Sequence, residues 1–521
     1  MINRRTMLAG TAATLALAAA PVSAKSDPIV ATTEGRLRGT LEGGLSVFRG
    51  IRYGEDTQST RFQAPMPAKA WPGVRDALSF GSVCPQRGDR YAAETEDCLF
   101  LNVWTPGLDA KAKRPVMVYF HGGAYSTGSV TDPLNDGRHL AARGDVVVVT
   151  VNHRLNAFGY LYLAGLDARF ADSGNVGQLD LILALQWIKR NIAAFGGDAS
   201  RVMVFGQSGG GAKIATLMGM PAAKGLFHSA ATMSGQQVTA QGAMNGTTRT
   251  RAYMAALGLG DGDVEKLLTL PTDALVEALH ATDPILGKSV YFGPTLDMKW
   301  LVRHPFWPDA NPQSTAIPMI LGNTHDETRA FIRPDGDKVR GLNWDNIAAR
   351  LGPELKIDLP PDWVVAQYRD HFPGYSAEQV FYAATTAGRS WPGQVIEADA
   401  RAAAGAKDTW VYQLDFPSPL EPRRGAFHTH DIPLVFGTLG AEGSRTGTGA
   451  DARAVSEKMM DAFIALARDG NPNHAGMTEW PSYRLPARAT MVFDAHTRAV
   501  NDPRKWQREL FARAPYIQPG S

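Results

Sequence analysis

Cysteine is nearly absent: the 521 residues include two, Cys84 and Cys98. With no second cysteine pair, a tetrahedral thiolate site is excluded on count. An excess of either charge is absent as well. Lys+Arg number 53 against 51 Asp+Glu, for a formal net charge of +2, and Arg4 and Arg5 account for that difference. Such a chain lacks the sustained positive field that nucleic-acid or polybasic membrane-surface binding requires. Long apolar runs are missing too. The longest, Met7 to Ala20, falls short of the roughly 20 residues that span a bilayer. No internal repeat, low-complexity tract or Pro/Ser-rich linker divides the chain. At 44% hydrophobic and 20% charged residues, the composition is that of a globular protein rather than a disordered one.

The N-terminus carries an address. Arg4-Arg5 precede the apolar run, and Val22-Ser23-Ala24 supply small residues before a cut. Residues 1–24 therefore read as an export signal of the twin-arginine type, directing a folded protein to a periplasm. In an exported chain, two cysteines at short spacing read as one loop-closing disulfide; the alternative is a pair of buried thiols.

Alternation around Glu42-Gly43-Gly44 predicts an antiparallel hairpin within Ile29 to Tyr53. Beyond it, short apolar runs recur at Val116–Phe120, Asp145–Asn152, Val202–Phe205, Ile317–Gly322 and Trp410–Phe416. Helical stretches such as Leu179–Ile192 and Val455–Ala467 separate some of them. Buried β-runs alternating with helices predict an α/β fold, a mainly parallel sheet covered on both faces. Gly242–Ala281 and Arg340–Ala404 read as helical insertions. One catalytic domain over residues 25–521 is the simplest organisation.

The strongest chemical signal is Gly206-Gln207-Ser208-Gly209-Gly210, between the run ending at Phe205 and a helical stretch from Gly211 to Met218. Gly-x-Ser-x-Gly in a strand–turn–helix setting presents a serine on a sharp turn that larger flanking side chains would block. The second signal is His121-Gly122-Gly123-Ala124-Tyr125, directly after a strand, where small residues let backbone N–H groups approach a developing oxyanion. An acid and a histidine should follow on loops after later strands. Spacing leaves Asp326 and Glu327 open for the first role, and His428 and His430 for the second. His428, His430 and Asp431 also resemble a metallohydrolase segment, but no downstream Asp-His pair completes it, and no metal or other cofactor is expected.

At these motifs the chain resembles the type-B carboxylesterases, the cholinesterase-like branch of the α/β-hydrolase fold. Phe48-Arg49-Gly50-Ile51, Glu96 to Val103, Asn152 to Leu155, Gly174 to Gly177 and Phe195 to Asp198 match further family segments in order. The resemblance implies an ester hydrolase without cofactor, with Ser208 as nucleophile, His428 as base and Glu327 as its acid. It implies an oxyanion hole of Gly123, Ala124 and Gly209, and Ser234 supporting the triad from behind. It also implies a Cys84–Cys98 disulfide and an ion pair between Arg49 and Glu96.

Departures from the family pattern bear on the substrate. Gln207 stands where the family usually has Glu, removing a negative charge beside the nucleophile. The segment from Cys84 to Cys98 contains no tryptophan, the aromatic face on which a choline group would rest. Lys213 replaces a small residue and either attracts an anionic substrate group or is held within the scaffold. The expected substrate is a small neutral or acidic ester, with bulky or polycarboxylate esters as a narrower alternative. A catalytically silent binding protein of the same family is the alternative of another class, and such proteins typically lose the serine or histidine.

Overall fold

A computed structural model describes residues 27–518 and 520; the expected export signal at 1–24 lies outside them. Among the described residues, eleven strands form one large sheet. In chain order they are β1 (Thr40–Glu42), β2 (Leu45–Arg52), β3 (Phe100–Thr105), β4 (Arg114–Phe120), β5 (Val147–Val151), β6 (Gly197–Gln207), β7 (Ser229–Met233), β8 (Met319–Thr324), β9 (Thr409–Leu414), β10 (Ala489–Phe493) and β11 (Arg498–Asn501). Their spatial order is β11-β10-β9-β8-β7-β6-β4-β5-β3-β2-β1. Neighbours are parallel from β10 across to β5, and antiparallel at both margins. The expected hairpin is β1–β2, and it pairs onto the sheet through β3.

The apolar runs are uninterrupted because both faces of the sheet are covered. Successive side chains of a strand point to opposite faces. Val116, Val118 and Phe120 enter one hydrophobic core, while Met117 and Tyr119 enter the other. Val202 and Val204 divide from Met203 and Phe205 in the same way. Helix Val176–Asn191 covers the first face and helix Ala450–Asp469 the second. Both expected helical insertions are present, the later one as helices including Pro361–His371, Ala377–Arg389 and Trp391–Ala403. Much of that insertion packs around a third core of its own, with Ile347, Leu351, Val364, Tyr368, Val380 and Phe381 buried together. This is the α/β-hydrolase architecture that the motifs implied.

Two expected pairings are not formed. Cys84 and Cys98 are buried free thiols rather than a disulfide. Leu155 N–H donates to Cys84 Sγ at 3.2 Å, and Cys84 together with burial pushes the Cys98 thiol up. Arg49 pairs with Glu42 on its own hairpin, at 2.5 and 2.8 Å, instead of with Glu96. Glu96 is buried, and its partner is the equally buried Arg61 at 2.5 Å. Arg61 also donates to the carbonyls of Leu267, Leu268 and Leu270. A buried carboxylate needs a cation buried with it, and Arg49, on a sheet-margin hairpin, does not supply one.

Candidate active site

The chain runs from β4 to β5 on one side and then to β6 on the other. Where strand order reverses, a crevice opens beyond the carboxyl ends of the strands. Register brings the two glycine motifs together there. Phe120 on β4 aligns with Gly206 on β6, so His121-Gly122-Gly123 runs beside Gln207-Ser208. Met233 on β7 aligns with Gln207, and Ser208 N–H donates to Met233 O at 2.7 Å.

Ser208 has φ 55° and ψ −125°, a left-handed conformation that a non-glycine residue keeps only under tight packing. The packing is visible at the flanking glycines. A Cβ on Gly210 would stand 2.0 Å from Phe120 O, and one on Gly206 2.6 Å from Gly210 C. The helix Gly209–Met218 starts directly after the serine. Ala124 and Tyr125 are also left-handed, at φ 52° and 61°. Gly209 lies so near this loop that a Cβ on it would stand 2.6 Å from Ala124 N. Among the described residues, the N–H groups of Gly123, Ala124 and Gly209 donate to no protein acceptor.

Of the two candidate acids, Glu327 reaches a histidine. It follows β8, and its Oε2 is hydrogen-bonded to His428 Nδ1. Its Oε1 accepts from Ser234 Oγ at 2.5 Å, from Thr324 N–H at 2.8 Å and from Asn323 Nδ2 at 3.3 Å. Burial alone would raise the Glu327 carboxyl, but the His428 charge and these hydrogen bonds outweigh it, so it lies below the ordinary glutamate value. Asp326 instead accepts from Ala426 N–H at 3.0 Å and pairs with Arg329 at 3.3 Å. Gln207 Nε2 meets His428 Nε2 at 3.3 Å; Ser208 Oγ has no hydrogen-bond partner among the described residues.

His430, the competing histidine, is buried in its loop beside Phe416 and Phe427. Burial pulls it down to about 3, and neither ring nitrogen has a partner among the described residues. Asp431 accepts from Tyr412 OH at 2.8 Å, and burial raises it to about 6. Lys213 is fully buried. Its Nζ donates to His121 O at 3.0 Å and lies 5.5 Å from the centre of the Tyr125 ring. Burial pulls this amine down to about 7. It holds the glycine loop to the helix and does not line the cleft. Tyr125 OH donates to Gln237 Oε1 at 3.1 Å.

Ser208 opens into a cleft of about 330 Å³. Its wall includes Ala124, Gly209, Gln236, Gln237, Tyr291 and a residue sequence reasoning did not single out, Arg389. Nothing local marks Arg389, which ends a helix of the later insertion.

A serine at a strained strand–helix turn, a histidine bonded to a buried glutamate and idle N–H donors lie together at the carboxyl ends of the central strands. The carboxylesterase family profile matches residues 26–511. The chain belongs to the carboxylesterase family. It is 35% identical over 494 residues to the para-nitrobenzyl esterase of Bacillus subtilis, covering 92% of this chain and 98% of that one. It is 33% identical to the phenmedipham hydrolase of Pseudarthrobacter oxydans, over 89% of this chain and 94% of the relative. The crystal structure of a Geobacillus stearothermophilus carboxylesterase superposes with a TM-score of 0.82 at 35% identity, covering 93% of this chain and 99% of that chain. This carboxylesterase is a serine hydrolase of carboxylic esters on an α/β-hydrolase fold.

Proposed function

We propose that residues 25–521 act as one catalytic domain in which Ser208, His428 and Glu327 hydrolyse a small neutral or acidic ester. The hydrogen bond between His428 Nδ1 and Glu327 carries the reading. With Nδ1–H donated to Glu327, Nε2 keeps its lone pair for the serine proton. Substrate binding displaces the long Gln207 contact and brings Ser208 Oγ to Nε2. Ser208 attacks the ester carbonyl, and His428 accepts its proton and returns it to the leaving alcohol. Glu327 stays ionised and stabilises the imidazolium. The idle N–H groups of Gly123, Ala124 and Gly209 receive the oxyanion. Water repeats the sequence on the acyl-enzyme. Ser234 orients Glu327 from behind.

The substrate reading rests on Gln207. A unit charge about 6 Å from a substrate cation contributes on the order of 3 kcal/mol at an effective dielectric near 20. Its absence removes that preference for cations. The test is kcat/KM for a choline ester and its uncharged carbon isostere. Wild type should favour the neutral ester, and Gln207→Glu should move the ratio at least about tenfold toward the cation. A wild type that prefers the choline ester overturns the reading.

A further inference from the structure

Lys213, the cation that the sequence offered for an anionic substrate, is buried away from the cleft. Arg389 is in it, the one charged side chain among the described residues of its wall. Its guanidinium makes no ion pair and donates no hydrogen bond to any described residue; its contact is the face of Phe331, 4.2 Å from the ring centre. Buried arginines elsewhere do make such bonds: Arg154 pairs with Asp180, and Arg401 donates to the carbonyls of Ser314 and Ile317. The acids whose charge reaches Arg389 are committed elsewhere. Glu354 pairs with Lys338 at 2.5 Å, and Glu327 holds His428 and Ser234. Burial pulls the guanidinium below the ordinary arginine value, yet arginine remains charged in proteins. A partly desolvated cation without a counter-ion gains most from an anion brought to it.

The position suits a substrate group. Phe331 lies 4.8 Å from the His428 ring, centre to centre, and 4.2 Å from the Arg389 guanidinium carbon, so that carbon lies within about 9 Å of the His428 ring centre. The rest of the wall near Ser208 offers neutral amides, Gln236 and Gln237, and no carboxylate to compete.

We infer that Arg389 anchors a free carboxylate on the substrate, so that the preferred esters are half-esters of dicarboxylic acids whose second carboxylate lies a few carbon atoms from the scissile carbonyl. The inference rests on the ester-hydrolase reading above. Arginine suits this role because its planar fork grips both carboxylate oxygens, which a lysine ammonium does not.

The test compares the mono-para-nitrophenyl ester of glutaric acid with para-nitrophenyl valerate, on wild type, Arg389→Gln and Arg389→Lys. Hydrogen bonds to charged groups set the scale: Arg389→Gln should lower the acidic-to-neutral ratio of kcat/KM about tenfold or more, and Arg389→Lys should restore part of it. Glutarate should inhibit valerate hydrolysis competitively in wild type, with a Ki raised about tenfold in Arg389→Gln. A ratio unchanged in Arg389→Gln, or equal losses on both esters in both variants, overturns the inference. Failure here is distinct from failure of the hydrolase reading, because wild-type hydrolysis of the neutral ester that vanishes in Ser208→Ala sustains that reading whatever Arg389 does.

Discussion

Two histidines separated by one residue have opposite fates. His428 is tied to Glu327, whereas His430 is enclosed by aromatic rings with both nitrogens unpartnered. Burial keeps His430 neutral around pH 7, so an apolar ring should replace it. His428→Ala should lower kcat/KM by about three orders of magnitude or more, as Ser208→Ala should, because members of a catalytic unit fail together. His430→Phe should stay within a few-fold of wild type in activity, its larger ring costing about 1–3 kcal/mol of stability by overpacking. The check is steady-state kinetics on a neutral aryl ester, with circular dichroism to confirm folding. A greater loss in His430→Phe than in His428→Ala would reverse the assignment.

Among elements, the helix after the nucleophile and the glycine loop after β4 are joined by Lys213 Nζ and His121 O. The amine lies near 7 in the fold and near 10.5 when free. Between those values the unfolded chain binds a proton that the native state does not, so this group's contribution to stability rises with pH across that window. Below about 7 the penalty of a buried ammonium is fully present. Lys213→Met abolishes this dependence. Its stability relative to wild type should therefore fall, by on the order of a few kcal/mol, as pH climbs from about 7 to about 10. Denaturant titrations at several pH values measure it, and parallel pH curves for the two proteins would refute it. Both elements were legible in sequence because a strand, a glycine turn and a helix are local signals. The strand Ser229–Met233 was not, since Ser-Ala-Ala-Thr-Met lacks the bulky β-branched run that marks a buried strand. The Arg61–Glu96 pair and the entry of Arg389 into the cleft depend on contacts remote in sequence, which spacing does not encode. Lys213 left two readings open on sequence, and only its burial decides between them.

At the scale of the whole molecule, no helix among the described residues is long and apolar enough to cross a membrane. We propose that residues 1–24 send the chain out of the cytoplasm by the twin-arginine route. Arg4→Lys combined with Arg5→Lys should leave the enzyme in the cytoplasmic fraction, active and with its leader uncut; undiminished periplasmic activity would point to the general secretory route instead. The third core has a consequence for how such an enzyme changes over generations. Arg389 ends a helix whose buried apolar side chains pack with Leu510 and Phe511, away from the two cores that sandwich the strands, while its Thr385 and Thr386 hydrogen-bond Thr328 beside Glu327. Mutational drift in that apolar cluster can move the last turn of the helix, and with it the charge presented to an incoming ester, while the two threonines hold the rest of the helix beside Glu327. Ancestry can thus tinker with taste and keep the blade.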